Sequence, residues 1–141
     1  LGNRSILYTA FDPKGREVVN RIKKREWYRP FAASVLEEDA HLFFDLKTYS
    51  PFMTQCYKVK DIAIPSVTHI DNTCRVQTVT NGHLYDLLQE LKKLTGYGII
   101  LNTSLNLAGE PLVETPQQAL DILAKSDLDY VWFPEIMQLF S

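Results

Sequence analysis

Leucine recurs at helical spacing most clearly over His83–Leu94, where Leu84, Leu87, Leu88, Leu91 and Leu94 share one face and Thr95-Gly96 ends the helix. A second amphipathic stretch, Lys14 to Lys24, gathers Val18, Val19 and Ile22 on one side. Asp12-Pro13 is its predicted start, because aspartate accepts an orphan amide hydrogen and proline in the first turn removes a donor that had no partner. Phe31 to Leu36 is a short apolar run of strand type, and Glu37-Glu38-Asp39 then supplies first-turn carboxylates for a short helix bearing Ala40, Leu42 and Phe43. From Pro51 to Thr80 the pattern turns to β: Phe52–Val59, Ser66–Ile70 and Cys74–Thr80 read as strands, separated by Pro65 and by Asp71-Asn72. Val76 and Val79 break strict alternation in the last of these, which leaves its register open. Tyr97–Leu101 reads as a buried strand and Asn102–Glu114 as a polar loop. Thr115-Pro116 opens a helix over Gln117–Ala124, and a last strand lies near Asp129–Phe133. With no repeat, linker or low-complexity tract, the expectation is a mixed α/β fold with one core over residues 1–141.

Composition narrows the class. The chain has 141 residues, 45% hydrophobic and 23% charged, which suits a folded soluble domain and argues against disorder. Fifteen Lys+Arg against seventeen Asp+Glu give a formal charge of -2, whereas dedicated nucleic-acid binders carry a basic excess. No apolar run reaches the ~18 residues of a membrane span. Cys56 and Cys74 are isolated and read as core thiols of a reducing compartment. The first residues have no apolar h-region, so they do not read as a signal peptide, and a cytoplasmic location is expected. The chain opens on Leu1 without an initiator methionine, as a segment of something longer would.

Against that slightly acidic background, Arg21, Lys23, Lys24, Arg25 and Arg29 crowd together around Trp27 and Tyr28. The run is either a solvated helix end that complements the dipole or an anion site, since guanidinium forks match phosphate and carboxylate. Pro30 and Phe31 lead it straight into a buried strand, which favours the anion site. Asn102-Thr103-Ser104-Leu105-Asn106 follows another buried strand, where α/β proteins place ligands, although such residues also cap turns. His69-Ile70-Asp71, with Arg75 and Gln77 nearby, puts a histidine and an aspartate on one strand face, which suits a metal or an acid–base pair, or else a hydrogen-bonded pair that orients a turn. Arg75 could equally pair with Asp71. No third metal ligand, nucleophile elbow or glycine-rich phosphate loop accompanies these groups. The residues alone support an anion-binding α/β domain without an identified nucleophile.

Taken together and in order, several segments resemble one family. They are Leu1-Gly2-Asn3-Arg4-Ser5-Ile6-Leu7, Lys23-Lys24-Arg25-Glu26-Trp27-Tyr28-Arg29-Pro30-Phe31-Ala32, Ser50-Pro51-Phe52-Met53, His69-Ile70-Asp71, Arg75-Val76-Gln77-Thr78-Val79, and Asn102 to Asn106 with Gly109-Glu110-Pro111. Their combination is similar to the C-terminal part of NodU-type O-carbamoyltransferases, the group of nodulation-factor, cephamycin and tobramycin carbamoyltransferases. The resemblance spans nearly the whole chain. It implies a YrdC-like mixed twisted sheet with flanking helices, the partner of an N-terminal Kae1-like domain that this chain does not include.

The implied activity is the first half of carbamoyl transfer. The YrdC-like part takes carbamoyl phosphate and ATP, with Mg2+ accompanying the nucleotide, and gives a carbamoyladenylate. The Kae1-like part, which carries an iron-type metal on histidines, then moves the carbamoyl group to a hydroxyl acceptor. The Lys-x-Arg and Ser-x-Asn pairs that mark YrdC-like sites correspond to Lys23/Arg25 and Ser104/Asn106. The resemblance thus assigns Lys23, Arg25, Arg29, Ser104 and Asn106 to catalysis, and Arg4, Arg75, Thr103 and His69 to substrate or nucleotide binding, with no metal held here. Ala33 stands where many members have proline, and the Gly-Pro-Arg-Ala that usually precedes Leu1 is not present, so the chain alone is expected to carry at most the first half-reaction. The alternative is a non-catalytic RNA- or nucleotide-binding module using the same cations, which would show steep salt dependence.

Overall fold

The computed structural model describes residues 1–141. Seven strands are present: β1 (Ser5–Thr9), β2 (Ala32–Leu36), β3 (Cys56–Lys58), β4 (Thr73–Val79), β5 (Ile99–Ser104), β6 (Val131–Phe133) and β7 (Gln138–Phe140). Between them lie helices α1 (Gly15–Ile22), α2 (Ala40–Phe43), α3 (Gly82–Thr95) and α4 (Pro116–Lys125). A five-stranded mixed sheet runs β1-β5-β2-β4-β3, and β6 and β7 form a separate hairpin. Only β2 and β4 pair parallel; the other neighbours are antiparallel. The mixed sheet with flanking helices is the architecture the sequence implied.

Each face of the sheet has its own cover. On one side Ile6, Ala33, Val35, Val76, Ile99 and Leu101 meet Val19 and Ile22 of α1, Phe43 and Phe44, and Ala119 and Ile122 of α4. On the other, α3 lays Leu88 against Leu36 and Val79, with Leu84, Leu91 and Ile100 at the margin. Central β2 is therefore buried at all five positions, which explains why Ala32–Leu36 reads as a continuous apolar run.

The register shows where this second cover ends. Along the α3-covered face, β2 and β4 pair Leu36 with Val79, then Ser34 with Gln77, then Ala32 with Arg75. Beside them β5 runs the other way through Ile100, Asn102 and Ser104, with Asn102 opposite Ala32. The face thus grades from apolar under α3, through buried polar side chains, to an open cationic end.

Several expectations from the pattern need correction. Asp12 does not cap α1: Lys14 is the cap residue and makes no side-chain cap bond, while Asp12 accepts from the Lys14 amide and the Tyr8 hydroxyl. Ser66–Ile70 is a turn rather than a strand, because the amides of Val67 and Thr68 and the Thr68 hydroxyl all bond back to the Ile64 carbonyl. The β segment near Phe52–Val59 shrinks to three residues of β3. The strand expected to stop at Leu101 continues to Ser104, so Asn102, Thr103 and Ser104 are sheet residues. The last strand expected near Asp129–Phe133 is β6, whereas β1 and the pairing of β6 with a further strand, β7, were not expected. Cys56 is exposed, leaving Cys74 as the one core thiol. By contrast, Thr115 makes a full capping box with Gln118 on α4, and Gly96 (φ +85°) closes α3.

Candidate functional site

At the open end of the face, a cleft of about 530 Å³ lies among the start of β1, the loop before β2, and the ends of β4 and β5. Arg4, Arg25, Arg75, Thr103 and Ser104 line it, and the lining contains no Asp, Glu or His. Asn102, buried to 3% exposure, forms part of the wall. The topology brings these groups together: β1 and β5 pair Ser5 with Ser104, and β2 carries Ala32 between Arg75 and Asn102.

Lys23 stands behind Ser104 at 2% exposure. Its ammonium donates to both the carbonyl and the hydroxyl of Ser104, and to the carbonyl and Oδ1 of Asn106 at 2.9 and 3.0 Å. Ser104 Oγ in turn donates to Asn106 Oδ1 at 2.6 Å, and Asn106 Nδ2 donates to the Glu110 carbonyl at 2.8 Å. The Lys23 and Ser104/Asn106 motifs are thus one hydrogen-bonded unit. No carboxylate answers the lysine, and burial, reinforced by Arg25 and Arg29, pushes its pKa down to about 8.

Arg25 is packed flat, its guanidinium 4.5 Å from the centre of the Phe31 ring. Nε donates to Asn20 Oδ1 at 2.6 Å, while Nη2 is buried with no partner. Burial, with Arg29 next, lowers its pKa from the usual guanidinium value. A buried donor without a partner is a standing cost to the fold at this arginine. Arg4 donates to the Val113 carbonyl at 3.0 Å, which ties β1 to the segment before α4. Arg75 is exposed and makes no ion pair; in particular it does not pair with Asp71.

Arg29 and His69 lie apart from this lining. Arg29 is exposed and faces Glu26 at 3.7 Å. His69 Nε2 donates to the Phe31 carbonyl at 3.0 Å and Nδ1 meets Thr73 Oγ1, so the ring clamps the turn onto the strand that carries the site. Asp71 accepts from the amide and hydroxyl of Thr73, so Thr73 separates the histidine and aspartate that sequence reading set side by side. The basic run likewise splits, since Arg21 leaves it to face Asp127 at 3.5 Å on the surface.

Two supports went unnoticed in the sequence. Asn20, fully buried on α1, donates through Nδ2 to the carbonyls of Trp27 and Arg29 and accepts from Arg25, so it holds the whole basic loop. An asparagine inside the apolar Val19–Ile22 face was its only signal. Ser34, Gln77 and Asn102 form a buried chain across β2, β4 and β5, with Ser34 Oγ donating to Gln77 Oε1 at 2.6 Å and Asn102 Nδ2 donating to Ser34 Oγ at 2.8 Å.

The family profile described as "Carbamoyltransferase C-terminus" matches residues 1–138. The chain belongs to the carbamoyltransferase C-terminal family. This carbamoyltransferase C-terminal domain is 41% identical over 139 residues to nodulation protein NolO of Bradyrhizobium diazoefficiens, covering 92% of the chain and 25% of that protein. It is 38% identical over 117 residues to a 3'-hydroxymethylcephem-O-carbamoyltransferase of Streptomyces clavuligerus, covering 80% of the chain and 22% of that enzyme. An uncharacterised protein of Methanocaldococcus jannaschii is 40% identical over 136 residues, 92% of the chain and 22% of that protein. The chain therefore spans about a quarter or less of the relatives it matches. Full-length HypF, solved in a phosphate- and nucleotide-bound form, superposes with a TM-score of 0.65 at 22% identity, over 87% of this chain and 20% of that one, which establishes a shared fold.

Proposed function

We propose that this carbamoyltransferase C-terminal domain binds carbamoyl phosphate and ATP in the Arg4–Arg25–Arg75 cleft, where water releases phosphate from carbamoyl phosphate and the carbamate so formed displaces pyrophosphate from ATP to give a carbamoyladenylate. The observation that carries this reading is a cleft lined by three arginines with no acidic side chain, backed by a buried lysine without a counter-ion. Fixed cations of this kind stabilise charge developing on phosphoryl and acyl oxygens without reorganising at the moment of reaction. Arg25 and Arg75 would take phosphate oxygens, and Arg4 closes the β1 side. Ser104 offers its hydroxyl to the adenylate phosphate, while Thr103, next to it on β5, turns its side chain to the opposite face with Ile6. Lys23 and Asn106 act on the same ligand through Ser104, and Arg29 adds its charge from outside the lining. His69 holds the Phe31 end of the cleft in place.

No three His, Cys, Asp or Glu side chains converge as a metal site. The donor set of the cleft is cationic and neutral, so an Mg2+ arriving with ATP would take its ligands from nucleotide oxygens and water. The second half of the reaction, transfer to a hydroxyl, belongs in this reading to a Kae1-like domain of the same protein, working in the cytoplasm. No helix is long and apolar enough to cross a membrane.

Calorimetry with carbamoyl phosphate and with ATP tests the reading. Binding of both, weakened about tenfold or more in Arg75→Ala, supports it. Absence of heat with either ligand overturns it.

A further inference from the structure

We propose that Asn102, held by Ser34 and Gln77, is the residue that selects a carbamoyl group over an acyl group of the same shape. This rests on the proposal above that carbamoyl phosphate enters the cleft. The arginines recognise phosphate, which carbamoyl phosphate shares with acetyl phosphate and with every other acyl phosphate. What distinguishes carbamoyl from acetyl is an NH2 where the other has a methyl, so selection needs a hydrogen-bond acceptor set into the wall beside the cations.

Asn102 supplies one. It sits at 3% exposure, forms part of the cleft wall, and lies opposite Ala32, whose other neighbour across the strands is Arg75. Its Nδ2 is committed inward, to Ser34 Oγ at 2.8 Å and towards Gln77 Oε1 at 3.5 Å. A hydroxyl has one proton, and Ser34 spends it on Gln77 Oε1 at 2.6 Å, so Ser34 can only accept from Asn102. That polarity leaves Asn102 Oδ1 with no protein partner. Since Oδ1 is not among the enclosed unpaired atoms while Asn102 lines the cleft, we take Oδ1 as the acceptor turned towards the ligand. The small Ala32 beside it leaves room for a planar amide. An NH2 there is paired, whereas a methyl leaves a desolvated acceptor facing carbon, the kind of mismatch by which polar pockets reject isosteres. Asn102 is thus a contact residue, and Ser34 and Gln77 are positioning residues that fix which end of its amide faces the ligand.

The test is the ratio of affinities for carbamoyl phosphate and acetyl phosphate, measured by calorimetry on the unaltered chain, Asn102→Leu and Ser34→Ala. In the unaltered chain carbamoyl phosphate is expected to bind about tenfold tighter. In Asn102→Leu that preference falls to about one, with acetyl phosphate bound as before, and Ser34→Ala lies between. A merely structural Asn102 would weaken both ligands together and keep the ratio, which overturns the proposal. Binding of carbamoyl phosphate with a ratio of one in the unaltered chain also overturns it and leaves the anion-binding reading intact. No binding of either ligand overturns both.

Discussion

Lys23 carries its charge where burial resists it. Between its folded pKa of about 8 and the ordinary 10.5, the unfolded chain holds more protons than the folded one. Stability therefore gains from this group as pH rises through that window, and below about pH 8 the full desolvation cost is present. An anion in the cleft pulls the other way, because it favours the charged lysine. At pH 8, phosphate binding is expected to take up a fraction of one proton, seen as a difference in binding heat between Tris and HEPES buffers, and Lys23→Met should abolish that difference. Affinity should fall as pH climbs through about 8, where the lysine neutralises. Arg75 makes the opposite kind of prediction. With no partner in the protein, Arg75→Ala should leave the thermal midpoint within about 2 °C of the parent while costing phosphate affinity.

Which residues could be known beforehand follows the same logic. The union of Lys23 with Ser104 and Asn106 joins groups 81 and 83 residues apart, and no local spacing announces such a pair. Family resemblance named them; only the fold shows that they bond to each other and reach the cleft through one hydroxyl. Asn20 and Ser34 were invisible because a buried polar side chain in an apolar run looks like an exception until its partners are seen.

At the level of elements, α3 and α4 were legible because leucine spacing and a Thr115 cap are local signals that the packing leaves intact. β5 was cut short in the reading because Asn102 and Ser104 look like loop; Ser34 and Gln77 satisfy the buried amide and so allow a polar strand end. β1 alternates too weakly to announce itself, and pairing with β5 decides it. Two substitutions probe how these elements are fitted. A Cβ at Gly98 would stand 2.2 Å from Leu36 Cδ1, so Gly98→Ala should cost about 1–3 kcal/mol, measured as a lowered urea midpoint with unchanged slope. Thr115→Ala removes the capping box of α4 and should cost about 1 kcal/mol by the same measurement.

For the molecule as a whole, charge balance is a poor guide to charge placement. The formal net charge of -2 coexists with a cleft that has three arginines and no acid, because the acids lie on other surfaces. Anion binding should therefore weaken as salt is raised despite the acidic total; a phosphate affinity unchanged between 50 mM and 500 mM chloride would contradict a cationic cleft. Mixed α/β class and flanking helices could be read from periodicity, but strand order could not, since it is set by pairings between distant segments.

Those distant pairings also dictate a schedule. Arg4 bonds to a carbonyl 109 residues further on, and Lys23 to one 81 residues further on. As the chain leaves the ribosome, the cations come first and wait, unsupported, for the oxygens that seat them. Closing such long loops is slow, so the anion cleft is among the last features to mature. A nascent chain that stops before β5 has the arginines but no cleft, and ligand recognition switches on only once β5 and the segment through Val113 have been made.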